Sequence, residues 1–354
     1  MTRRTSGSEP NFADRLIVWQ QQHGRHDLPW QQTSDAYRIW LSEIMLQQTQ
    51  VGTVIPYYRR FLENFPDIEA LAAAPLERVL ELWAGLGYYA RARNLHRCAQ
   101  VIVVAYGGTF PQSPAQIVEL PGIGRSTAAA IAALAFGQRA AILDGNVKRV
   151  LARCFAIEGF PGAGKTEKEL WALAEALLPA QQIEAYTQGL MDLGATLCTR
   201  SKPFCAACPM HETCIARRTG RQAELPTARP KKTIPERLSS VLLLTDGRRV
   251  LLERRPPSGI WGGLLALPEG DADAVETFAL RHGCRVLDTR GLAPLRHSFT
   301  HFRLTIATLR CLVEVTPGLA AEPGWRWLDL QDVETAALPT PIRELLRQAA
   351  GCPA

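Results

Sequence analysis

Between residues 11 and about 195 the apolar positions recur with a helical period. Val147, Val150, Leu151, Cys154 and Phe155, for example, fall at i, i+3, i+4, i+7 and i+8 and line one face of a helix. Gly and Pro punctuate the run at Pro66, Pro75, Gly107-Gly108, Pro114, Pro121 and Pro161, which predicts a succession of helices joined by turns. Beyond residue 236 the period changes. "SSVLLLTDGRRVLLERR" places two apolar runs on either side of Asp246-Gly247, a hairpin pattern, and "FRLTIATLRCLVEV" adds a third strand-like run. Two short helical patterns lie near 272–282 and 340–349. The pattern predicts a multidomain chain: an all-α region followed by a small α+β domain.

The length of 354 residues is enough for two cores. No apolar run approaches the roughly eighteen residues of a membrane span, and "MTRRTSGSEPNF" lacks the apolar centre of a signal peptide. The expected setting is cytoplasmic and reducing, which disfavours disulfides. The net charge of +6 is carried mostly by arginine, whose planar fork suits phosphate; nucleic acid is permitted as a partner and not required. "ARRTGRQAELPTARPKKTIPER" is basic, contains proline and is poor in apolar residues, so it reads as an interdomain linker. The expected boundaries are 1–216, 217–236 for the linker, and 237–354.

Cys198, Cys205, Cys208 and Cys214 crowd four thiols into seventeen residues, which points to metal binding. Spacing alone leaves zinc and an iron–sulfur cluster both open. A second motif is a decoy. Gly159 to Thr166 matches the phosphate-binding pattern G-x4-G-K-[ST], yet that loop needs a buried strand directly before it. Here the preceding residues carry helical periodicity, and Pro161 removes a backbone donor. The expected structure is a turn between two helices.

"LPGIGRS", residues 120–126, sets Gly122 and Gly124 between the short helical stretch "PQSPAQIVEL" and an alanine-rich helix. Such a turn presents free N–H groups at a positive helix end, which suits a phosphate oxygen. Further on, "AAILDGNVKRVL" delivers Asp144 to the mouth of a helix opened by Gly145 and Asn146. Asp144 is expected to stay ionised there, favoured by the dipole and the amides. Glu43, in "YRIWLSEIMLQQTQ", sits beside the apolar face made by Ile39, Trp40 and Leu46, where desolvation would raise its pKa. One protonated and one anionic carboxyl is the pairing that breaks a glycosidic bond through an oxocarbenium-like transition state.

"LPGIGRS", "ILDGNVKRVL" and the cysteine spacing resemble the endonuclease III superfamily of helix–hairpin–helix DNA glycosylases. "WLSEIMLQQTQV", "WAGLGYYARARNL", "MDLGATLCTRSKPFC" and "RPPSGIWGGL" resemble its MutY-type adenine glycosylase branch. The resemblance implies removal of adenine mispaired with 8-oxoguanine or G in duplex DNA by a monomeric, DNA-associated enzyme, and a 4Fe–4S cluster on the four cysteines. It implies Glu43 as the acid and Asp144, supported by Asn146, as the anion facing the sugar cation. It places Gln188 at the adenine edge, Arg25, Leu28 and Trp30 in the pocket wall, and Gln48 and Tyr88 as wedges into the duplex. Relatives that also cut the strand carry lysine where Ser126 stands, because an imine needs an amine. The implied enzyme is therefore monofunctional, with Lys148 the nearby amine for incidental strand cleavage. The C-terminal domain resembles the MutT-like (Nudix) fold. It has Glu276 without the glutamates that would hold magnesium, so it should read the lesion through Phe299, Thr300 and His301 instead of hydrolysing nucleotides.

Overall fold

The computed structural model describes residues 11–230, 234–256, 259–299, 301–316 and 324–350. The chain divides into two compact units, Met1–Ala73 with Arg97–Lys231, and Ala74–His96 with Lys232–Ala354.

The helices before the sheet are α1 (Phe12–His23), α2 (Ala36–Leu46), α3 (Val51–Asn64), α4 (Ile68–Ala73), α5 (Leu76–Trp83), α6 (Ala90–Tyr106), α7 (Pro114–Ile117), α8 (Arg125–Phe136), α9 (Gly145–Cys154), α10 (Gly164–Ala176), α11 (Ile183–Asp192) and α12 (Ile215–Arg218). Local chemistry starts several of them. Asn11 and Asp14 form a reciprocal capping box on α1, and Asp35 caps α2 through the Tyr37 and Arg38 amides. The first unit's core runs through α1, α8, α9 and α11, with Leu16, Ala133, Val147, Val150 and Leu151 fully enclosed. The alanines of α8 keep its surface shallow, so α2 and α11 pack closely against it. That packing brings Glu43 on α2 and Gln188 on α11 into one neighbourhood.

Two details differ from the sequence expectation. The helix before the glycine turn ends at Ile117, short of Pro121, and residues 118–122 continue as turn. Of the two glycines only Gly122 needs its freedom, with φ 78°; Gly124 is the extended N-cap of α8, and a Cβ there would meet nothing. The decoy is a turn as expected: α9 precedes it, and Lys165 and Thr166 fall in the first turn of α10. The linker's first part is packed. Leu225 is buried in the helical core, and its carbonyl accepts from the Arg153 guanidinium at 2.8 Å.

In the second unit the described residues form a seven-stranded sheet of β1 (Glu236–Thr245), β2 (Arg249–Arg254), β3 (Leu265–Ala266), β4 (Cys284–Gly291), β5 (Leu295–Ser298), β6 (Arg303–Val315) and β7 (Trp325–Asp329). The main order is β3-β2-β1-β6-β4, with β1 parallel to β6 and the other pairs antiparallel. β5 pairs with β6, and β7 with β2. Asp246-Gly247 makes the hairpin as read: Asp246 Oδ1 accepts from the Arg248 and Arg249 amides, and Gly247 adopts φ 91°. Helices α13 (Val275–Arg281) and α14 (Thr340–Ala350) fall where the helical patterns lay. Their apolar sides close separate cores, Val275 and Ala279 in one, and Ile342, Leu345 and Leu346 in the other.

Candidate active site

Helices α2 and α11 and residues 25–34 enclose a cavity of about 560 Å³. Glu43 lies in its wall with Ser42, Ile39 and Leu46 from the same helix, while Gln188 and Met191 face it from α11. Arg25, Leu28 and Trp30 line it as well, so five sequence-predicted residues meet in one space. Trp30 is wedged edge-on against Tyr58, with ring centroids 5.3 Å apart, which fixes one wall.

Glu43 takes no hydrogen bond or ion pair from a described residue. Burial, reinforced by the nearby charge of Asp144, pushes its carboxyl up to about 7. Asp144 caps α9 by accepting from the Val147 amide at 2.8 Å, and Asn146 Nδ2 donates to its other oxygen at 3.3 Å. Burial outweighs these donors and the Arg149 charge, so Asp144 is also pushed upward, although the cap donors expected at the helix end are in place. The cause is burial of the carboxyl at the end of the buried run Ala141–Leu143. Between the two carboxyls the asymmetry is clear: Asp144 has donors aimed at it and Glu43 has none. A proton entering the pair therefore resides on Glu43.

Neighbours hold this arrangement. Asn146 Oδ1 accepts from Arg149 Nη2 at 2.9 Å, and the same guanidinium donates to the carbonyls of Gly194 and Cys198, each at 2.7 Å. A Cβ on Gly194 would come within 2.6 Å of Asn146 Cβ, so only glycine fits there. Ser126 Oγ accepts from the Leu143 amide at 2.9 Å and pins the residue before Asp144. Lys148 pairs with Glu167 at 2.5 Å. On α11, Asp192 is wholly enclosed. Its carboxylate accepts from the Arg25 amide at 3.0 Å, Arg25 Nε at 2.7 Å and Gln188 Nε2 at 3.0 Å. Sequence reasoning gave no role to Arg149, Asp192 and Gly194, although they fall within the stretches quoted above, because their contacts are made with distant parts of the chain.

The remaining predicted residues are not among those lining this cavity. Gln48, beyond α2, is exposed with left-handed φ 57°, and Tyr88, in the second unit, is 49% exposed with φ 48°. Non-glycine residues in that region are strained, which favours a functional reason for keeping them. Arg91 braces the loop of Tyr88, lying over its ring and donating to the Leu86 and Gly87 carbonyls. Phe299 and His301 sit between β5 and β6; Phe299 is stacked on Phe302 with centroids 4.5 Å apart, and His301 is exposed. Thr300 lies outside the described residues.

Cys198, Cys205, Cys208 and Cys214 line a second cavity, with Val150, Leu193, Leu197, Pro203 and Phe204 as apolar walls. Cys198 follows a π-helical turn, Leu193–Leu197, and its Sγ accepts from Arg153 Nη1 at 3.4 Å. Among the described residues no three His, Cys, Asp or Glu side chains close around a single ion. The four thiols line one space, and the Arg153 guanidinium lies against the first of them.

The chain matches the family model of the HhH-GPD superfamily of base excision DNA repair proteins over residues 41–176, and that of the NUDIX domain over residues 240–348. A thermostable thymine-DNA glycosylase has a similar structure, with TM-score 0.53 and 33% identity, over 59% of this chain and 95% of its own. Endonuclease III in a non-covalent DNA complex shares the fold at TM-score 0.51 and 20% identity, over 59% of this chain and 94% of its own. Fold and site thus define a class, the helix–hairpin–helix base excision repair proteins, here with a NUDIX-type domain appended. The adenine DNA glycosylase of Buchnera aphidicola subsp. Acyrthosiphon pisum (strain APS) is 36% identical over 95% of this chain and 96% of its own length. That of Homo sapiens is 33% identical over 95% of this chain and 73% of its own. The chain belongs to the adenine DNA glycosylase family, whose members are N-glycosyl hydrolases. No helix among the described residues is long and apolar enough to cross a membrane.

Proposed function

We propose that this chain is a monofunctional DNA glycosylase that excises adenine mispaired with 8-oxoguanine, and with guanine, from duplex DNA in base excision repair. The observation that carries the reading is Glu43, a carboxyl lifted to about 7 in a cavity wall, coupled to the cap residue Asp144. The adenine is flipped out of the stack into the cavity. Protonated Glu43 gives its proton to the base while the N9–C1′ bond breaks, and adenine leaves neutral. Asp144, oriented by Asn146, stabilises the sugar cation electrostatically or as a transient covalent adduct. Water then adds its oxygen to C1′, its proton returns to Glu43, and an abasic site remains.

Arg25, Leu28, Trp30 and Gln188 hold the base. Gln48 and Tyr88 fill the space it leaves, and the amides beside Gly122 and Gly124 take a phosphate oxygen. Ser126 supplies no amine for an imine; Lys148 is the source of any incidental strand cleavage. Phe299, Thr300 and His301 probe the oxidised guanine. The four cysteines would hold a 4Fe–4S cluster, a fit supported by an all-thiol donor set on one apolar cavity; when bound, the cluster would tie the segment 198–214 together. The protein acts as a monomer.

The test uses duplexes with A opposite 8-oxoguanine, A opposite G, and thymine glycol, scored for strand breaks with and without alkali. Breaks at the two adenine mispairs only after alkali are expected. Scission without alkali that keeps pace with base release, or action on thymine glycol, contradicts the reading.

A further inference from the structure

Residues 74–96 carry α5, the Tyr88 loop and the start of α6, yet they pack with the sheet as part of the second unit. Three contacts fasten them there. Glu77 on α5 pairs with Arg254 at 3.2 Å, and Tyr89 Oη donates to the Leu338 carbonyl at 3.3 Å. Arg93 Nη1 donates to the Gly262 carbonyl at 2.6 Å, the shortest of the three. Gly262 is buried and Arg93 half-buried, so this bond is sheltered from water. A charged donor on a sheltered carbonyl makes a strong bond.

Each end of that bond leads to a residue that meets the duplex in the reading above. Arg93 lies in the first turn of α6, its amide donating to the Tyr89 carbonyl at 3.1 Å, directly after the Tyr88 wedge. Gly262 follows Trp261, which holds a left-handed φ of 57°. A bulky residue keeps that conformation only where its surroundings fix it. The Trp261 ring lies 6.1 Å from that of Phe299, and both pack on the same apolar core. Wedge and probe are thus joined within one unit through Arg93, Gly262 and Trp261. Two separate probes entering a duplex would each be ordered at its own entropic cost. On one rigid piece, seating the first presets the second.

We propose that Arg93 is a positioning residue that holds the Tyr88 wedge and the Phe299 probe as one piece, so that contact with the oxidised guanine promotes wedge insertion and faster release of the adenine opposite. The inference rests on the roles given to Tyr88 and Phe299 under the proposed function and adds what joins them.

The test is single-turnover adenine release from duplexes with A opposite 8-oxoguanine and A opposite G. Arg93→Met keeps an unbranched apolar stem without a donor, and Arg93→Lys keeps a cationic donor; Arg93→Met is also placed in a Phe299→Ala background. Arg93→Met should slow release opposite 8-oxoguanine about tenfold and release opposite G by no more than about twofold, and Arg93→Lys should recover most of the loss. In the Phe299→Ala background, Arg93→Met should change the 8-oxoguanine rate by less than about twofold, because the joined probe is already gone. Equal slowing of both mispairs, as a folding defect or a plain phosphate contact would give, overturns the role of Arg93. So does an unchanged rate, a lysine variant as slow as the methionine one, or the same loss with and without Phe299. A wild type that releases no adenine, or does not favour the oxidised mispair, instead overturns the proposed function on which this inference stands.

Discussion

Glu43→Gln should abolish adenine release, by about a thousandfold or more, while duplex binding persists. The amide keeps the shape and loses the proton the departing base requires. The same variant should also be the more stable protein above neutrality. Burial lifts the folded carboxyl to about 7 from an ordinary value of 4.5, so between those values the folded state binds the extra proton. Stability is then lost as pH rises through that window, by an amount on the order of 2–3 kcal/mol at pH 8. Gln carries no such penalty. Melting curves without DNA should show the variant's advantage near zero at about pH 4 and growing to several degrees at pH 8. An advantage that does not change with pH would mean that Glu43 is not held in the apolar wall described.

Asp192→Ala should cost the most stability. The carboxylate is enclosed and gathers the Arg25 backbone, the Arg25 guanidinium and the Gln188 amide. Removing one partner of a buried pair typically costs about 3–5 kcal/mol, because the other is left uncompensated. For a unit of this size the melting midpoint should fall on the order of 10 °C. Asp192→Asn, which keeps the shape and one acceptor, should fall less. Both variants should slow adenine release, since Arg25 and Gln188 lose the anchor that sets them in the cavity. A midpoint within about 2 °C of wild type for Asp192→Ala would refute this role.

What was legible in the sequence was local. Helical period, the Asp246-Gly247 hairpin and the Asp144 cap each depend on a handful of neighbouring residues, and each formed as read. Glu43 was legible because its helix face is apolar. Less accessible were features made by distant parts of the chain. Asp192 meets Arg25 across 167 residues, and Arg149 reaches Cys198 across 49, so no window of sequence contains either contact. The rise of Asp144 went unseen for a related reason: the cap donors are local, whereas the burial that outweighs them is tertiary.

The central claim is that a carboxyl kept protonated to near neutrality drives base release, and the pH dependence of single-turnover adenine release from an A:8-oxoguanine duplex tests it most directly. The rate should hold at mildly acidic pH and decline through about pH 7, as Glu43 loses its proton. A rate that stays level or climbs from pH 6 to 9 would contradict the account, because no protonated Glu43 would then be needed.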